Sequence, residues 1–185
     1  EFPGFSVRSL TVRQYNYHNA AHLLGYLSEA SLTDLERDST IMRGDFVGRS
    51  GVERTYEEVL RGIKGEEIFY RDARGRIQGR LDGGSHDRAP VPGRDLTLSI
   101  DAGLQELGER MMRGKRGAIV AIEPETGEIL ALVTAPNYDP ELLAGKSKGA
   151  NHRMLEETFG KPLLNRAIQG NYPPGSTFKP SQGAI

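Results

Sequence analysis

The stretch GAIVAIEPETGEILALVTA, residues 117–135, gives the clearest indication of fold in this sequence. Residues 117–123 and 128–135 are apolar at nearly every position, and the four residues PETG separate them. A turn that starts with proline and ends with glycine, between two short β-prone runs, predicts two strands of one sheet. Because neither run alternates with polar residues, we expect both strands to be central and covered on both faces.

The residues before this stretch predict a helix that packs on the sheet. LTLSI, residues 96–100, is short and β-prone, and Asp101 after it is a favoured helix-capping residue. Leu104, Leu107 and Met111 then recur on one helical face. We therefore expect a short strand, followed by a helix whose apolar face contacts the sheet.

The first half of the chain predicts a separate unit. Residues 82–95, DGGSHDRAPVPGRD, combine glycine and proline with polar residues, which is typical of a linker or long loop. We expect a domain boundary near Gly93. Before it, residues 66–81 contain two β-prone runs around a turn at residues 72–75, which predicts a hairpin.

Four further segments have a recognisable pattern. Residues 19–31 and 151–160 predict short helices, and residues 5–17 alternate loosely and predict extended chain. Residues 48–65 predict a longer helix with Ser50 as its cap. The apolar stripe of that helix consists of Val52, Tyr56, Val59, Leu60 and Ile63.

Composition excludes some classes of protein. The 185 residues are 37% hydrophobic, which is enough for a modest core in one ordinary domain or two small ones. A formal net charge of -1 gives no electrostatic case for nucleic acid binding. Without cysteine there are neither disulfides nor thiolate ligands, and the compartment stays open. No apolar run of about 18 residues predicts a membrane span, and no signal peptide is recognisable. The chain begins on EFPGF without an initiator methionine, which leaves a preceding segment open.

Three clusters of polar residues are candidates for a metal, phosphate or acid–base site. His18 and His22 have the spacing of a helical zinc site, but the sequence between them lacks glutamate and no third ligand follows, so we expect no metal. Residues 48–51 contain no G-K-[ST] and predict no phosphate loop. We interpret the remaining cluster as a solvated, ion-paired face of a helix. It consists of Glu53, Arg54, Glu57, Glu58 and Arg61.

Ser176 and Lys179 form the most promising chemical pair, although S-x-x-K is a weak signal by itself. The preceding YPPG prevents helix, and serine favours a helix start, so we expect a loop that becomes a helix at Ser176. Residues three apart share a helical face, and the free N–H groups of the first turn suit an oxyanion. This geometry is typical of an activated nucleophile.

Lys179 would have to lose its proton to act as a base. That requires its pKa to fall by roughly three units, or about 4 kcal/mol of interaction with its surroundings. A helix from Ser176 to the last residue has at most ten residues, and nothing follows in this sequence to bury Lys179. From these residues alone we do not expect turnover.

Five ordered blocks of the sequence resemble one known family. YPPGSTFKP is similar to the active-site motif of class B penicillin-binding proteins, the D,D-transpeptidases that cross-link peptidoglycan. GDFVGRSGVERTYEEVLRGIKG and RGRIQG resemble their pedestal domain, and LTLSIDAGLQELGERMM resembles the start of their catalytic domain. Two further blocks complete the set of five, GAIVAIEPETGEILALVTAPNYDP and LLNRAIQGNYPPGSTFKP. Within the family, the elongation-type (penicillin-binding protein 2) members are the most similar, through the blocks GRSGVE and AAHLLGYLSEAS.

The resemblance implies an α+β fold with two parts. Residues 1–93 would be a pedestal, or dimerisation-type, domain without its front portion, and residues 94–185 the N-terminal part of a transpeptidase domain. Ser176 would be the acylated nucleophile and a donor of one oxyanion N–H, with Lys179 as its general base. The later S-x-N and K-[ST]-G motifs do not occur after Lys179, so we expect this chain alone to be inactive.

The resemblance also implies substrates, partners and location. Ser176 would attack the D-alanyl-D-alanine of a stem peptide, and β-lactams would acylate the same serine; no cofactor is implied. Residues 1–93 could instead act as a binding module for the rod-shape scaffold protein and the polymerising glycosyltransferase. The expected location is the periplasmic face of the bacterial inner membrane, with membrane contact only through an N-terminal anchor outside this chain.

Overall fold

A computed structural model of the chain describes residues 13–144 and 147–183. Its N-terminal part consists of short elements: α1 (Ala21–Leu24), β1 (Leu27–Glu29), α2 (Leu32–Arg37), β2 (Phe46–Gly48), α3 (Gly51–Thr55) and α4 (Glu57–Arg61). β1 and β2 pair antiparallel. Most of the predicted extended segment, residues 5–12, lies outside the described residues, and residues 13–17 form no strand.

Both helices predicted in this part are shorter than expected. The helix predicted over residues 19–31 ends at Gly25, where a β-carbon would lie only 1.9 Å from the Ser50 carbonyl oxygen. This close approach turns the chain out of α1 into β1. The helix predicted over residues 48–65 breaks at Tyr56, after Thr55 Oγ1 donates back to the Gly51 carbonyl, a bond that bends helices. Ser50 occupies the N-cap position of α3, but its side chain makes no capping hydrogen bond.

The predicted hairpin is confirmed and belongs to a longer two-stranded arm over residues 63–91. β3 (Phe69–Arg71) and β4 (Ile77–Arg80) pair antiparallel, and the Gly75 N–H donates to the Asp72 carbonyl across the turn at 2.8 Å. Every residue of both strands is exposed.

The segment predicted as a linker, residues 82–95, is partly paired instead of free. After a 3₁₀ turn at Leu81–Gly84, it returns along the first strand of the arm through antiparallel bridges, Glu66 with Arg88 and Ile63 with Val91. Paired main-chain groups hold it in place, which composition alone does not reveal.

Within the described residues, the C-terminal part has four helices around one hairpin, and two 3₁₀ turns. The elements are α5 (Ala102–Met111), β5 (Gly117–Ile122), β6 (Ile129–Ala135), α6 (Lys148–Glu157), α7 (Arg166–Gln169) and α8 (Lys179–Gly183), with 3₁₀ turns at Pro140–Leu143 and Gly175–Phe178. α6 confirms the helix predicted over residues 151–160.

β5 and β6 confirm the predicted strands and their turn. They pair antiparallel, and the Gly127 N–H closes the turn on the Glu123 carbonyl at 2.8 Å. The expectation that both strands are covered on both faces is wrong for β5, because Val120 is 43% and Ile122 57% exposed. Within the described residues the sheet has two strands, and the face of β5 that carries these two side chains stays exposed.

α5 begins as predicted but packs through a different face. The Asp101 carboxylate accepts the Leu104 N–H at 2.7 Å, which confirms the cap. The predicted contact face of Leu104, Leu107 and Met111 is exposed, because Gln105 and Gly108 face β6 instead. A β-carbon on Gly108 would lie 2.8 Å from Val133 Cγ2, so only glycine allows this close packing.

The strand predicted over residues 96–100 does not form in the described chain. A strand needs a neighbour along its length, and this segment bonds to β6 only at its end. The Ser99 hydroxyl donates to the Ile129 carbonyl, and the Asp101 N–H donates to the Leu130 carbonyl, both at 2.9 Å.

One apolar cluster joins the two parts of the chain. It contains Ala21 of α1 together with Tyr138, Leu143 and Leu155 from the C-terminal part. Tyr26, Leu142 and Leu163 pack against it. Across residues 13–144 and 147–183, no helix has both the length and the apolar character that a membrane crossing requires.

Candidate active site

The predicted nucleophile and base lie in consecutive helical turns near the end of the described chain. The 3₁₀ turn Gly175–Phe178 contains Ser176, and the Lys179 main-chain N–H donates to the Ser176 carbonyl. The two residues are therefore one turn apart, although Ser176 is inside the turn and not at its cap as predicted, since Pro174 occupies that position. Both side chains are exposed, and no hydrogen bond joins them in this part of the structure.

α7 precedes the 3₁₀ turn that contains Ser176, called the serine turn below, and is hydrogen-bonded to β6. It packs on both strands of the hairpin. The Thr134 hydroxyl, in the buried end of β6, lies 3.2 Å from Asn165 Oδ1 and accepts the Ala167 N–H at 3.3 Å. The start of α7 is thus fixed relative to the sheet, and five residues separate the end of α7 from the serine turn.

Arg166 holds the loop before α7. It is 3% exposed, and its guanidinium donates to the carbonyls of Gly160, Lys161 and Leu164. In the sequence, Arg166 stands out only as part of a block that resembles the family. A single charge in the mostly apolar stretch LLNRAIQ is the signal that could have identified it, because a buried charge needs several hydrogen-bond acceptors.

His22 contributes a hydrogen bond to the same loop. It is 9% exposed, its Nε2 lies 2.7 Å from the Pro162 carbonyl oxygen, and its ring contacts the edge of Tyr138. Burial lowers the pKa of His22, the bond to Pro162 opposes this, and the charge of Arg166 lowers the pKa further. His18 instead pairs with Asp139 at 3.0 Å, so the two histidines that share zinc-like spacing have separate partners.

Gln105 is a second buried polar residue that the sequence analysis missed. Its side-chain amide is 1% exposed, accepts the Leu132 N–H at 2.8 Å and donates to the Leu132 carbonyl at 3.1 Å. It thereby satisfies the free edge of β6 as a neighbouring strand would. Its Nε2 also donates to Glu109, whose carboxylate accepts the Ala20 N–H at 2.7 Å and so ties the N-terminal part to α5.

The acidic residues of the N-terminal part differ in their surroundings. Glu53 was expected on a solvated face, but it is buried, and Arg13 donates to both its carboxylate oxygens at 2.8 and 2.9 Å. Burial follows from the packing of α3 on β2. Glu58 is exposed as predicted.

Two aspartates in this part are held ionised by their hydrogen-bond partners. Hydrogen bonds from Arg49, and then from Ser31, hold the pKa of Asp34 well below its usual range. Hydrogen bonds from the Thr40 hydroxyl and from Arg61 lower the pKa of Asp38 to about 2. The first ion pair links α2 to the residue after β2, and the second links the residue after α2 to α4, so both are structural in character.

Comparison with family models assigns both parts of the chain. Residues 1–98 match the penicillin-binding protein dimerisation domain, and residues 117–184 match the penicillin binding protein transpeptidase domain. The chain belongs to the penicillin-binding proteins. Its α+β fold is that of a dimerisation domain followed by the start of a transpeptidase domain, with Ser176 and Lys179 inside the second matched segment.

Individual penicillin-binding proteins are similar over nearly the whole chain. The peptidoglycan D,D-transpeptidase MrdA of Acinetobacter baumannii is 40% identical over 98% of this chain, and that of Escherichia coli K12 is 38% identical over 97%. The chain spans only 27% and 29% of those two relatives.

Solved penicillin-binding proteins have the same fold. Pseudomonas aeruginosa PBP2 in complex with WCK 5153 has a TM-score of 0.73 and 36% identity, and covers 93% of this chain. Helicobacter pylori PBP2 in complex with MreC has a TM-score of 0.78 and 33% identity, again over 93% of this chain. The chain spans 34% and 32% of these two structures.

Proposed function

We propose that this chain is part of a peptidoglycan D,D-transpeptidase of cell-wall elongation, with Ser176 as nucleophile and Lys179 as general base. The observation that supports it is the pair's placement one turn apart within the segment that matches the transpeptidase domain. The similarity to proteins named peptidoglycan D,D-transpeptidase agrees with this proposal.

The proposed reaction is acyl transfer through Ser176. Ser176 Oγ attacks the carbonyl carbon of the D-alanyl-D-alanine peptide bond, while a neutral Lys179 Nζ accepts the hydroxyl proton. The C–N bond breaks, and the terminal D-alanine leaves with a proton on its nitrogen. An amine of a neighbouring stem peptide then attacks the acyl-serine, loses a proton and releases the Ser176 hydroxyl. A β-lactam would acylate Ser176 by the same first step.

The test uses a chimera in which residues 1–183 replace the matching segment of Acinetobacter baumannii MrdA. We expect fluorescent penicillin to label the chimera covalently, Ser176→Ala to abolish labelling, and Lys179→Met to slow it by at least about 100-fold. Ser147→Ala, which removes another exposed serine, is the control and should label normally. A folded chimera without labelling, or labelling of Ser176→Ala, would contradict the proposal.

A second candidate function is docking of partners through the N-terminal part. It is favoured by the exposed arm, which displays Ile68, Phe69, Tyr70 and Ile77 to solvent. We propose a rod-shape scaffold protein and a polymerising glycosyltransferase as the partners, at the periplasmic face of the inner membrane. The Helicobacter pylori relative solved with MreC supports the first of these.

Pull-down with purified Helicobacter pylori MreC tests this docking. We expect the chain to retain MreC and the double variant Tyr70→Ser, Ile77→Ser to lose it. The control, Leu32→Ser, also removes an exposed apolar side chain but lies outside the arm. Equal retention by the double variant would exclude the arm as the docking surface.

A further inference from the structure

The loop before α7 directs several main-chain carbonyls at two buried side chains, His22 and Arg166. Residues 160–164 present four main-chain carbonyls to two side chains. Arg166 Nη1 donates to Lys161 at 3.0 Å and Leu164 at 3.4 Å, and Nη2 donates to Gly160. His22 donates to Pro162 at 2.7 Å. The N-terminal part of the chain therefore supplies one of the donors that hold this loop.

The conformation of the loop depends on those donors. Gly160 has φ of 88°, and Lys161 has φ of 50°, which is the left-handed region that non-glycine residues rarely adopt. Such a conformation persists only when surrounding contacts enforce it. Because buried carbonyls are costly without a donor, loss of the His22 or Arg166 bonds would release this loop.

The bond from His22 requires one particular form of the ring. The Pro162 carbonyl can only accept, so His22 Nε2 carries the proton. The second ring nitrogen is unprotonated in the neutral form, because burial of His22 lowers its pKa and the nearby Arg166 charge lowers it further. A neutral donor at His22 and a charged donor at Arg166 therefore coexist at one loop.

The loop leads into α7, which ends five residues before the serine turn. It ends at Asn165, α7 begins at Arg166 itself, and the Arg166 carbonyl accepts the Gly170 N–H at 3.1 Å where α7 ends. Within the described residues, the 3₁₀ turn with Ser176 makes its main element contact with α8. α7 ends five residues before that turn, so the end of α7 fixes where the segment that carries Ser176 begins.

We propose that His22 and Arg166 are positioning residues for Ser176, which fix the loop of residues 160–164 and through it α7 and the serine turn. The inference rests on the proposed function of Ser176. It makes His22, from the segment that matches the dimerisation domain, a determinant of serine placement in the transpeptidase segment. A displacement of about 1 Å at a nucleophile costs up to about 100-fold in rate.

Hydrogen exchange of the chain tests the structural half of this inference. His22→Phe keeps a ring against Tyr138 but cannot donate, whereas His22→Gln retains an N–H donor. We expect His22→Phe to speed exchange of the Gln169 and Gly170 amides at least about tenfold, with His22→Gln within about threefold of wild type. The amides of β6 should not change. Unchanged exchange at α7 in His22→Phe would overturn the inference.

Acylation of the MrdA chimera tests the functional half. For His22→Phe and Arg166→Lys we expect the limiting acylation rate constant to fall about tenfold or more, while the half-saturating penicillin concentration stays within about twofold. His22→Gln should restore most of the rate, and His86→Phe, at an exposed histidine, should match wild type.

The outcomes separate the two proposals. An unlabelled wild-type chimera defeats the proposed function of Ser176. Normal labelling of wild type together with an unchanged rate in His22→Phe defeats only the positioning inference. If His22→Phe and His22→Gln lose the same rate, the ring and not its hydrogen bond matters, and the inference is also overturned.

Discussion

Ser176 and Lys179 have the spacing of a nucleophile–base pair but not the burial that such a base requires. A lysine that accepts a proton near neutral pH needs about 4 kcal/mol of help from burial or neighbouring charge. Lys179 is exposed in this chain. Among residues 13–144 and 147–183 nothing buries its side chain, so the proposed role of Lys179 as a base needs surroundings that the described residues do not supply.

His22 is expected to make the stability of the chain depend on pH. Because burial lowers its pKa in the folded state, the unfolded chain binds more protons below the ordinary histidine pKa of about 6.5. Its contribution is therefore complete above that pH and is lost as the pH falls toward the lower folded pKa. In urea unfolding at pH 7.5 and 5.5, His22→Gln should lose less stability on acidification than wild type.

The control for this prediction is His86→Gln, which removes an exposed histidine. It should follow the wild-type difference between the two pH values. An identical pH dependence in wild type and His22→Gln would contradict the assigned burial of His22.

Gln105 is expected to be the costliest single polar residue to replace. Gln105→Met has similar volume but leaves the Leu132 N–H and carbonyl without partners in a buried place. We expect a loss of about 2–4 kcal/mol in the free energy of unfolding, measured with urea. Gln169→Met, at an exposed glutamine, should change it by less than about 0.5 kcal/mol. If Gln105→Met leaves the free energy of unfolding unchanged, the amide does not stabilise the edge of β6.

At the scale of elements, the contact between α5 and β6 depends on a residue without a side chain. Gly108→Val would place its β-carbon within 2.8 Å of Val133 Cγ2, so the helix must move away from the sheet. We expect a destabilisation of about 2–3 kcal/mol and a lower melting temperature.

Gly149→Val is the matched control for this helix contact, because nothing lies within 4 Å of a β-carbon at that position of α6. It should change stability by less than about 0.5 kcal/mol. Equal effects of the two substitutions would contradict the close contact with Val133 as the cause of the loss at Gly108.

Element types were predictable where local chemistry decides them. Asp101 caps α5, PETG turns β5 into β6, and residues 72–75 turn β3 into β4, because a cap or turn involves only neighbouring residues. Element faces and lengths were less predictable. α5 packs through Gln105 and Gly108, because the edge of β6 needs a hydrogen-bonding side chain and a close approach of the helix. The spacing of apolar residues along α5 predicts neither of these.

At the scale of the whole molecule, the chain alone is expected to be inert toward penicillin. Ser176 and Lys179 are exposed, and the later motifs that the family resemblance calls for do not occur in residues 1–185. After incubation with penicillin, intact mass should show the unmodified chain, while the MrdA chimera gains one adduct. A stoichiometric adduct on the chain alone would show that residues 1–185 suffice for acylation.

The sequence by itself determined the family, the order of the two parts and the positions of Ser176 and Lys179, because ordered motifs are properties of the chain text. Only the tertiary structure decided which buried polar groups join those parts. His22, Gln105 and Arg166 were unremarked or misjudged in sequence, since their partners are main-chain carbonyls and N–H groups, which every residue has. Such bonds are specified by which segments the fold brings together, and no local pattern reveals that.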